Sequence, residues 1–190
     1  MVELERLNKK GEPLLIAEVK IKSPFGFRSE KTWNELFALA CSVGDIVSIH
    51  TDKHWGGSFE LLAKARDLTT KPILAKGIHA TDAEVERALA TGANWVLVVG
   101  RVPEIFPERC LIEPNSLTEL AALDPSLHAV WNSRDLSTGG LKKETFEEAR
   151  AAFSGWLCQA SNLKTIADVK DGADAVLVGS SLPEFICSRG

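Results

Sequence analysis

The sequence predicts an α/β fold, a barrel of eight parallel strands wrapped by helices, on three observations. Eight short apolar runs, centred near Ile16, Val47, Leu74, Leu97, Ile112, Val130, Leu157 and Leu177, alternate with amphipathic or polar segments. A degenerate repeat recurs: Thr91-Gly92-Ala93-Asn94-Trp95-Val96-Leu97-Val98 parallels Asp171-Gly172-Ala173-Asp174-Ala175-Val176-Leu177-Val178, and Val43-Gly44-Asp45-Ile46-Val47 is a weaker copy. Each copy is a helix-capping glycine followed directly by an apolar strand, the joint expected where helices cover a parallel sheet. Finally, polar residues fall at the C-terminal ends of the apolar runs, where functional groups gather in a closed (βα)8 TIM barrel. An open doubly wound sheet is the competing arrangement, but its usual glycine fingerprint is absent.

Taken in order, the elements justify themselves locally. The first strand, Leu14-Leu15-Ile16-Ala17-Glu18-Val19-Lys20, carries two opposite charges two residues apart. Side chains alternate along a strand, so Glu18 and Lys20 share a face with Leu14 and Ile16. The second strand is followed by His54-Trp55-Gly56-Gly57-Ser58, whose paired glycines permit either a tight loop over the barrel mouth or a plain turn. Ser58 caps a helix over Phe59–Leu68, with Phe59, Leu62, Ala65 and Arg66 on one stripe. The third strand, Pro72–Lys76, ends on a lysine. Thr81-Asp82-Ala83-Glu84 and Ser116-Leu117-Thr118-Glu119 both fit the capping box, in which each end satisfies an orphan backbone donor. Between the fourth and fifth strands, Val102–Pro107 holds two prolines, leaving one helical turn or none. The fifth strand ends on Glu113 and the sixth on Asn132. A helix is predicted over Lys142–Phe153, and the seventh crossover helix, Thr165–Lys170, is curtailed before Gly172.

At 190 residues the chain fits a single barrel domain over 1–190, with residues 1–12 as an N-terminal remnant. Hydrophobic residues at 45% and charged ones at 25% are ordinary for a globular protein. A net charge of −4 with dispersed basic residues argues against nucleic acid and for a small-molecule partner. No stretch approaches the roughly 20 apolar residues needed to span a bilayer. The N-terminus carries acids and lacks the apolar run of a secretory signal. Cys41, Cys110, Cys158 and Cys187 show no metal-ligand spacing, and reduced thiols fit a cytoplasmic protein. His50, His79 and His128 show no shared spacing that suggests a metal site.

The chemistry is expected at the strand ends. A charge on a buried face is costly unless paired or put to use. Glu18 and Lys20 alone could be a structural ion pair, but with Lys76 and Glu113 the charged strand ends exceed what a fold needs. Lysines beside carboxylates allow one group to act as an acid and another as a base, since neighbours push their pKa values apart. Lys76 could equally form a Schiff base, and spacing does not separate the two roles. Asn132 is followed by Ser133-Arg134-Asp135, where Arg134 offers a cation or merely a loop salt bridge. Gln159-Ala160-Ser161-Asn162 and Val178-Gly179-Ser180-Ser181 end the last two strands, where this fold commonly binds phosphate, though both could be simple turns.

These residues resemble the indole-3-glycerol phosphate synthase family. The resemblance rests on Ile16-Ala17-Glu18-Val19-Lys20 with Ser23-Pro24, on Trp55-Gly56-Gly57-Ser58 and on Pro72–Lys76. It continues through Leu111-Ile112-Glu113, Asn132-Ser133-Arg134-Asp135-Leu136 and Gly172–Gly179, in family order over nearly the whole chain. It implies a lyase of tryptophan biosynthesis that closes the indole ring of a carboxyphenylamino-deoxyribulose phosphate, losing carbon dioxide and water without metal or cofactor. By resemblance Lys76 is the general acid of ring closure, and Glu113 and Lys20 serve dehydration. Glu18 and Asn132 orient these groups and the substrate, with Ser23 and Arg134 close by. Ser161, Gly179 and Ser180 hold the phosphate. Three departures stand out. The family's strand-seven Ser-Glu-Ser-Gly appears as Gln159-Ala160-Ser161-Asn162, without the carboxylate. The N-terminal helical extension is cut to at most Val2–Lys10, and the fourth helix is largely gone. A degenerate paralogue that binds a phosphorylated small molecule or a protein partner is therefore the alternative. Strand edges near the short fourth crossover suggest a homodimer.

Overall fold

The computed structural model describes Leu4 and residues 11–189, so the N-terminal segment expected over residues 1–12 lies mostly outside the described residues. The eight strands are β1 (Leu14–Val19), β2 (Ile46–His50), β3 (Ile73–Lys76), β4 (Trp95–Val99), β5 (Cys110–Glu113), β6 (His128–Asn132), β7 (Trp156–Ala160) and β8 (Ala175–Val178). They close into a barrel in chain order, every pair is parallel, and β8 returns to β1 with Leu14 opposite Ala175. The expected (βα)8 barrel is the fold, and all eight strands fall on the apolar runs that predict them.

Both faces of the strands are apolar because both are covered, as parallel sheets require. One set points inward and fills the lower barrel with Leu14, Ile16, Ile46, Leu74, Trp95, Leu97, Leu111, Val130, Trp156 and Leu177. The other set, including Leu15, Val47, Ile73, Val96 and Val176, packs outward against Leu36, Phe37, Leu62, Ala65, Val85, Ala88 and Phe185 of the helices. A second outer layer joins Ala129, Trp131 and Leu157 to Leu120, Phe146, Ala149 and Phe153.

The helices are α1 (Trp33–Val43), α2 (Phe59–Leu68), α3 (Asp82–Ala90), α4 (Leu117–Ala121), α5 (Phe146–Ala152) and α6 (Leu182–Cys187). The fourth and seventh crossovers hold only single 3-10 turns, Pro107–Arg109 and Ile166–Asp168. Ser58 caps α2 and Thr81–Glu84 forms a full capping box on α3, as expected. Ser116 caps α4, but Glu119 reaches back to the Asn115 N–H at 2.8 Å instead of closing the box on Ser116. The helix expected from Lys142 starts at Phe146, because Thr145 and Glu148 form a capping box that fixes its first turn. Lys142 instead lies in the loop before it, with Nζ donating to the Pro114 carbonyl at 3.1 Å and 4.3 Å from the centre of the Trp131 ring.

The repeat has a structural reason. Asp45, Asn94 and Asp174 each precede a strand and clasp the start of the strand before it. Their side-chain oxygens accept from the N–H groups of Leu15 (2.8 Å), Ile73 (2.9 Å) and Leu157 (2.9 Å). Their own N–H groups donate back to the carbonyls of the same three residues. This fixes the register of three strand pairs at their N-terminal ends. The glycine of the weak copy, Gly44, is not left-handed. A Cβ there would stand 2.8 Å from the Ala17 Cβ, so glycine lets α1 hand over to β2 against β1. All four cysteines are free thiols, and burial pushes Cys110 up to about 12. Among the described residues no helix is long and apolar enough to cross a membrane.

Candidate active site

Above the apolar layers the inward positions change character. Glu18, His50, Lys76, Glu113 and Asn132 all face the C-terminal mouth from β1, β2, β3, β5 and β6, and all but Lys76 are nearly inaccessible. Each continues the inward set of its own strand, Glu18 following Leu14 and Ile16, and Asn132 following Val130. Lys20 stands one residue beyond β1 and is half-buried.

Two polar clusters organise the mouth. Glu18 is the hub of the first: its Oε1 accepts from Lys76 Nζ at 3.4 Å and pairs with His50 Nε2. Gly179 follows β8 directly beneath this carboxylate, and any Cβ there would overlap Glu18 Oε2. In the second cluster, Asn132 Nδ2 donates to Glu113 Oε1 at 2.8 Å while its Oδ1 accepts from the Arg134 N–H at 3.0 Å. The Arg134 guanidinium donates to the Gly139 carbonyl at 2.7 Å and lies 5.9 Å from the Phe25 ring centre. This bonding holds Asn132 and Arg134 as one unit, and among the described residues the guanidinium bonds the Gly139 carbonyl and forms no salt bridge with Asp135.

The electrostatics sort the two carboxyls. Burial pushes Glu18 up, but Lys76, Lys20 and His50 together outweigh it and hold the carboxyl well below its ordinary range. Burial also raises Glu113, and Lys76, Asn132 and Lys142 do not cancel it, so this carboxyl keeps its proton to higher pH. Two carboxyls in one mouth are thus pushed apart, Glu18 toward the anion and Glu113 toward the acid. Glu18 draws Lys20 upward, yet burial and the neighbouring Lys76 and Arg134 leave its ammonium more acidic than usual. Burial likewise lowers His50, against the pull of Glu18.

The mouth contains two chambers that meet at Lys76. One, about 300 Å³, is bounded by His50, Trp55, Lys76, Leu97, Val99, Glu113, Asn132 and Leu136. Its lining has the chemistry of a slot for a flat apolar ring with a few polar atoms. The other, about 380 Å³, is bounded by Glu18, Lys20, Lys76, Arg134, Ser161, Asn162, Gly179 and Ser180. It combines three cations with hydroxyls and backbone. Ser161 and Asn162 are both left-handed, with φ of 69° and 56°, and Asn162 Nδ2 donates to Ser133 Oγ at 2.8 Å. Asparagine tolerates this conformation better than most residues, which is how the turn forms without glycine. Ala160 is buried at the end of β7, paired with Asn132 and Leu177, and brings no polar atom to the mouth.

The structure brings Glu18, Lys20, Lys76, Glu113, Asn132, Arg134, Ser161, Gly179 and Ser180 to these two chambers. Ser23 lines neither of them; it lies in the loop between β1 and α1, and its Oγ accepts from the Phe25 N–H at 3.2 Å. Two residues enter the site that the sequence did not single out. His50 ends β2 as Lys76 ends β3, and the strand-end pattern points to it as well. Lys142, whose charge acts on Glu113 from beside the Trp131 ring, carries no such signal because it belongs to a loop. Among the described residues no group of three histidine, cysteine, aspartate or glutamate side chains is placed to hold a metal ion.

Comparison with known proteins agrees with this geometry. A family model described as indole-3-glycerol phosphate synthase matches residues 3–185. The indole-3-glycerol phosphate synthase of Rippkaea orientalis is 31% identical over 205 residues, covering 91% of this chain and 69% of that protein. Those of Leptospira interrogans and Bacillus velezensis are 28% and 29% identical, covering 90% and 88% of this chain and 77% of each relative. A barrel with two carboxyls sorted by their surroundings, and a lysine shared between an apolar and a cationic chamber, belongs to the indole-3-glycerol phosphate synthase family, lyases of tryptophan biosynthesis.

Proposed function

We propose that this barrel closes an indole ring. The substrate is a carboxyphenylamino-deoxyribulose phosphate, and the products are indole-3-glycerol phosphate, carbon dioxide and water. The observation that carries the reading is the position of Lys76, which lines both chambers. A ligand with its phosphate in the cationic chamber and its aryl ring in the apolar one brings its ketone against that ammonium.

The roles are those the family resemblance implies, and the geometry supports them. Lys76 gives a proton to the ketone oxygen as the aryl carbon attacks, and the Glu18 anion holds its ammonium in place. Loss of carbon dioxide restores the aromatic ring. Glu113, whose hold on its proton burial strengthens, and Lys20 then assist departure of the hydroxyl as water. Asn132 orients Glu113 and, through Arg134, ties it to the cationic chamber. Arg134, Ser161, Gly179 and Ser180 receive the phosphate, Gly179 through a backbone that no side chain obstructs. Ser23 is assigned to the substrate through the family pattern alone.

Ala160 favours a second reading, in which the barrel is a degenerate paralogue that binds a phosphorylated small molecule or a protein partner without turnover. Loss of one preorganised polar group can cost roughly 10²–10³ in rate. Indole formation, followed by fluorescence at high enzyme concentration, decides between them. Turnover by the wild type that rises in Ala160→Glu is expected. No turnover in either protein would replace the enzyme reading with the binding one.

A further inference from the structure

His50 is the buried group that the mechanism above leaves unused. It is 4% exposed, its Nε2 pairs with Glu18, and its Nδ1 has no hydrogen-bond partner. The imidazole lines the apolar chamber and lies parallel to the Trp55 ring, with centroids 6.0 Å apart. An unpartnered buried nitrogen carries a desolvation cost that a ligand donor would relieve. The Glu18 carboxylate only accepts, so the shared proton sits on Nε2 and the neutral ring presents its lone pair at Nδ1. A carboxylate fixing the tautomer of an imidazole is the arrangement that makes histidine a general base.

The reaction needs such a base. Besides the lysines, which are proton donors here, three side chains that can take up a proton line the two chambers: Glu18, Glu113 and His50. Glu113 is the acid, and the Glu18 carboxylate is committed to Lys76 and His50. Around the imidazole stand Glu18 and Lys20 from β1 and its end, Lys76 from β3 and Glu113 from β5. Burial, Lys76 and Lys20 disfavour its cation and Glu18 favours it, and the balance favours the neutral ring.

We propose that Glu18 and His50 form a carboxylate–imidazole dyad in which His50 Nδ1 removes the carbon-bound proton during dehydration. The proposal rests on the ring-closing reading. After ring closure and loss of carbon dioxide, one ring carbon bears the hydroxyl and its neighbour, next to nitrogen, bears two hydrogens. Nδ1 takes one of these as a proton, and the C–H electron pair becomes the new ring double bond. The hydroxyl leaves as water with the proton of Glu113. His50 ends as an imidazolium beside the Glu18 carboxylate, Glu113 ends as a carboxylate, and solvent returns the proton from one to the other.

The test uses the full chain with substrate carrying deuterium on the methylene carbon next to nitrogen. His50→Gln and His50→Leu should slow indole formation by about 10²-fold, with KM little changed. Because proton removal becomes the slow step, the deuterium isotope effect should rise in both variants. Variants that turn over like wild type, or that slow with an unchanged isotope effect, would show that His50 is only structural. Nitrogen-15 NMR of the wild-type imidazole keeps the idea testable if both variants misfold. It should find Nδ1 unprotonated near neutral pH, and a proton on Nδ1 overturns the dyad. Wild-type turnover with unaffected His50 variants removes the dyad alone, whereas absence of wild-type turnover removes the ring-closing reading and the dyad with it.

Discussion

The two ends of the barrel interior are made from the same strands and bury different kinds of polar group. At the N-terminal end, His128 of β6 meets Trp95 and Trp156 edge-on, with ring centroids 5.3 and 5.6 Å away. Trp95 Nε1 and His128 Nδ1 are buried there without a hydrogen-bond partner. Four residues along the same strand, Asn132 is bonded on both sides, to Glu113 and Arg134. A neutral unsatisfied atom costs about 1–3 kcal/mol, which a large aromatic surface can offset. A charge cannot be tolerated so cheaply, and at the C-terminal end Glu18 is paired with both Lys76 and His50. One end is built to stay dry and packed, the other to hold charges ready for a ligand.

Lys76→Ala should produce the largest effect, reducing indole formation to background, because no other residue lines both chambers at the end of β3. Progress curves at high enzyme concentration check this. A variant that loses stability yet keeps its rate per folded molecule would mean that the mouth is as structural as the opposite end. Trp95→Ala should behave conversely. It empties a site that is 3% exposed and should cost about 3–5 kcal/mol in denaturant unfolding. Phosphate affinity in the mouth should be unchanged, and a parallel loss of affinity would show that the ends are coupled.

How much of this was legible in the sequence follows the same division. The strands were, because fully buried parallel strands write themselves as continuous apolar runs, and the charges Glu18, Lys76 and Glu113 stand out against them. His50 was not, because a histidine at a strand end does not contradict its surroundings as strongly as a lysine does. Lys142 was hidden by the helical periodicity after it; only the Thr145–Glu148 capping box reveals where that helix begins. The aromatic cage was invisible, since Trp95, His128 and Trp156 come from three strands and only the register of the closed barrel assembles them. Residues that break a local pattern can be read from the chain, whereas those that act through long-range packing cannot.

Gly179→Ala sharpens the comparison at the mouth. The new Cβ would displace Glu18 Oε2, while His50 and Lys76 hold the same carboxylate through Oε1, and would stand 3.2 Å from Lys20 Cδ. The carboxylate has little room to yield, so a cost of about 1–3 kcal/mol is expected, in the range of core overpacking. The thermal shift produced by millimolar inorganic phosphate should shrink with it, because the same backbone faces the cationic chamber. For a ligand at about 100 times its dissociation constant that shift corresponds to roughly 2.7 kcal/mol in the wild type. A full shift in Gly179→Ala would place the phosphate elsewhere.

The smallest effect is expected from His128→Phe, and it isolates the N-terminal end. Burial holds the His128 imidazole below its ordinary pKa. The unfolded chain therefore binds the proton first as pH falls, and the stability tied to the neutral ring is present above about 6.5 and lost as pH drops toward the folded value. Burial lowers His50 and His79 as well, so three histidines contribute the same sign. Glu113, raised by burial, contributes the opposite slope, and Glu18 matters only once pH falls through the carboxylate range. Phenylalanine preserves the edge contacts to Trp95 and Trp156 and removes the titration. Urea unfolding at about pH 7.5 and about pH 5.5 should show a smaller stability loss on acidification in His128→Phe than in the wild type. An unchanged loss would assign the acid sensitivity to His50 and His79, at the functional end, and leave the aromatic cage indifferent to pH.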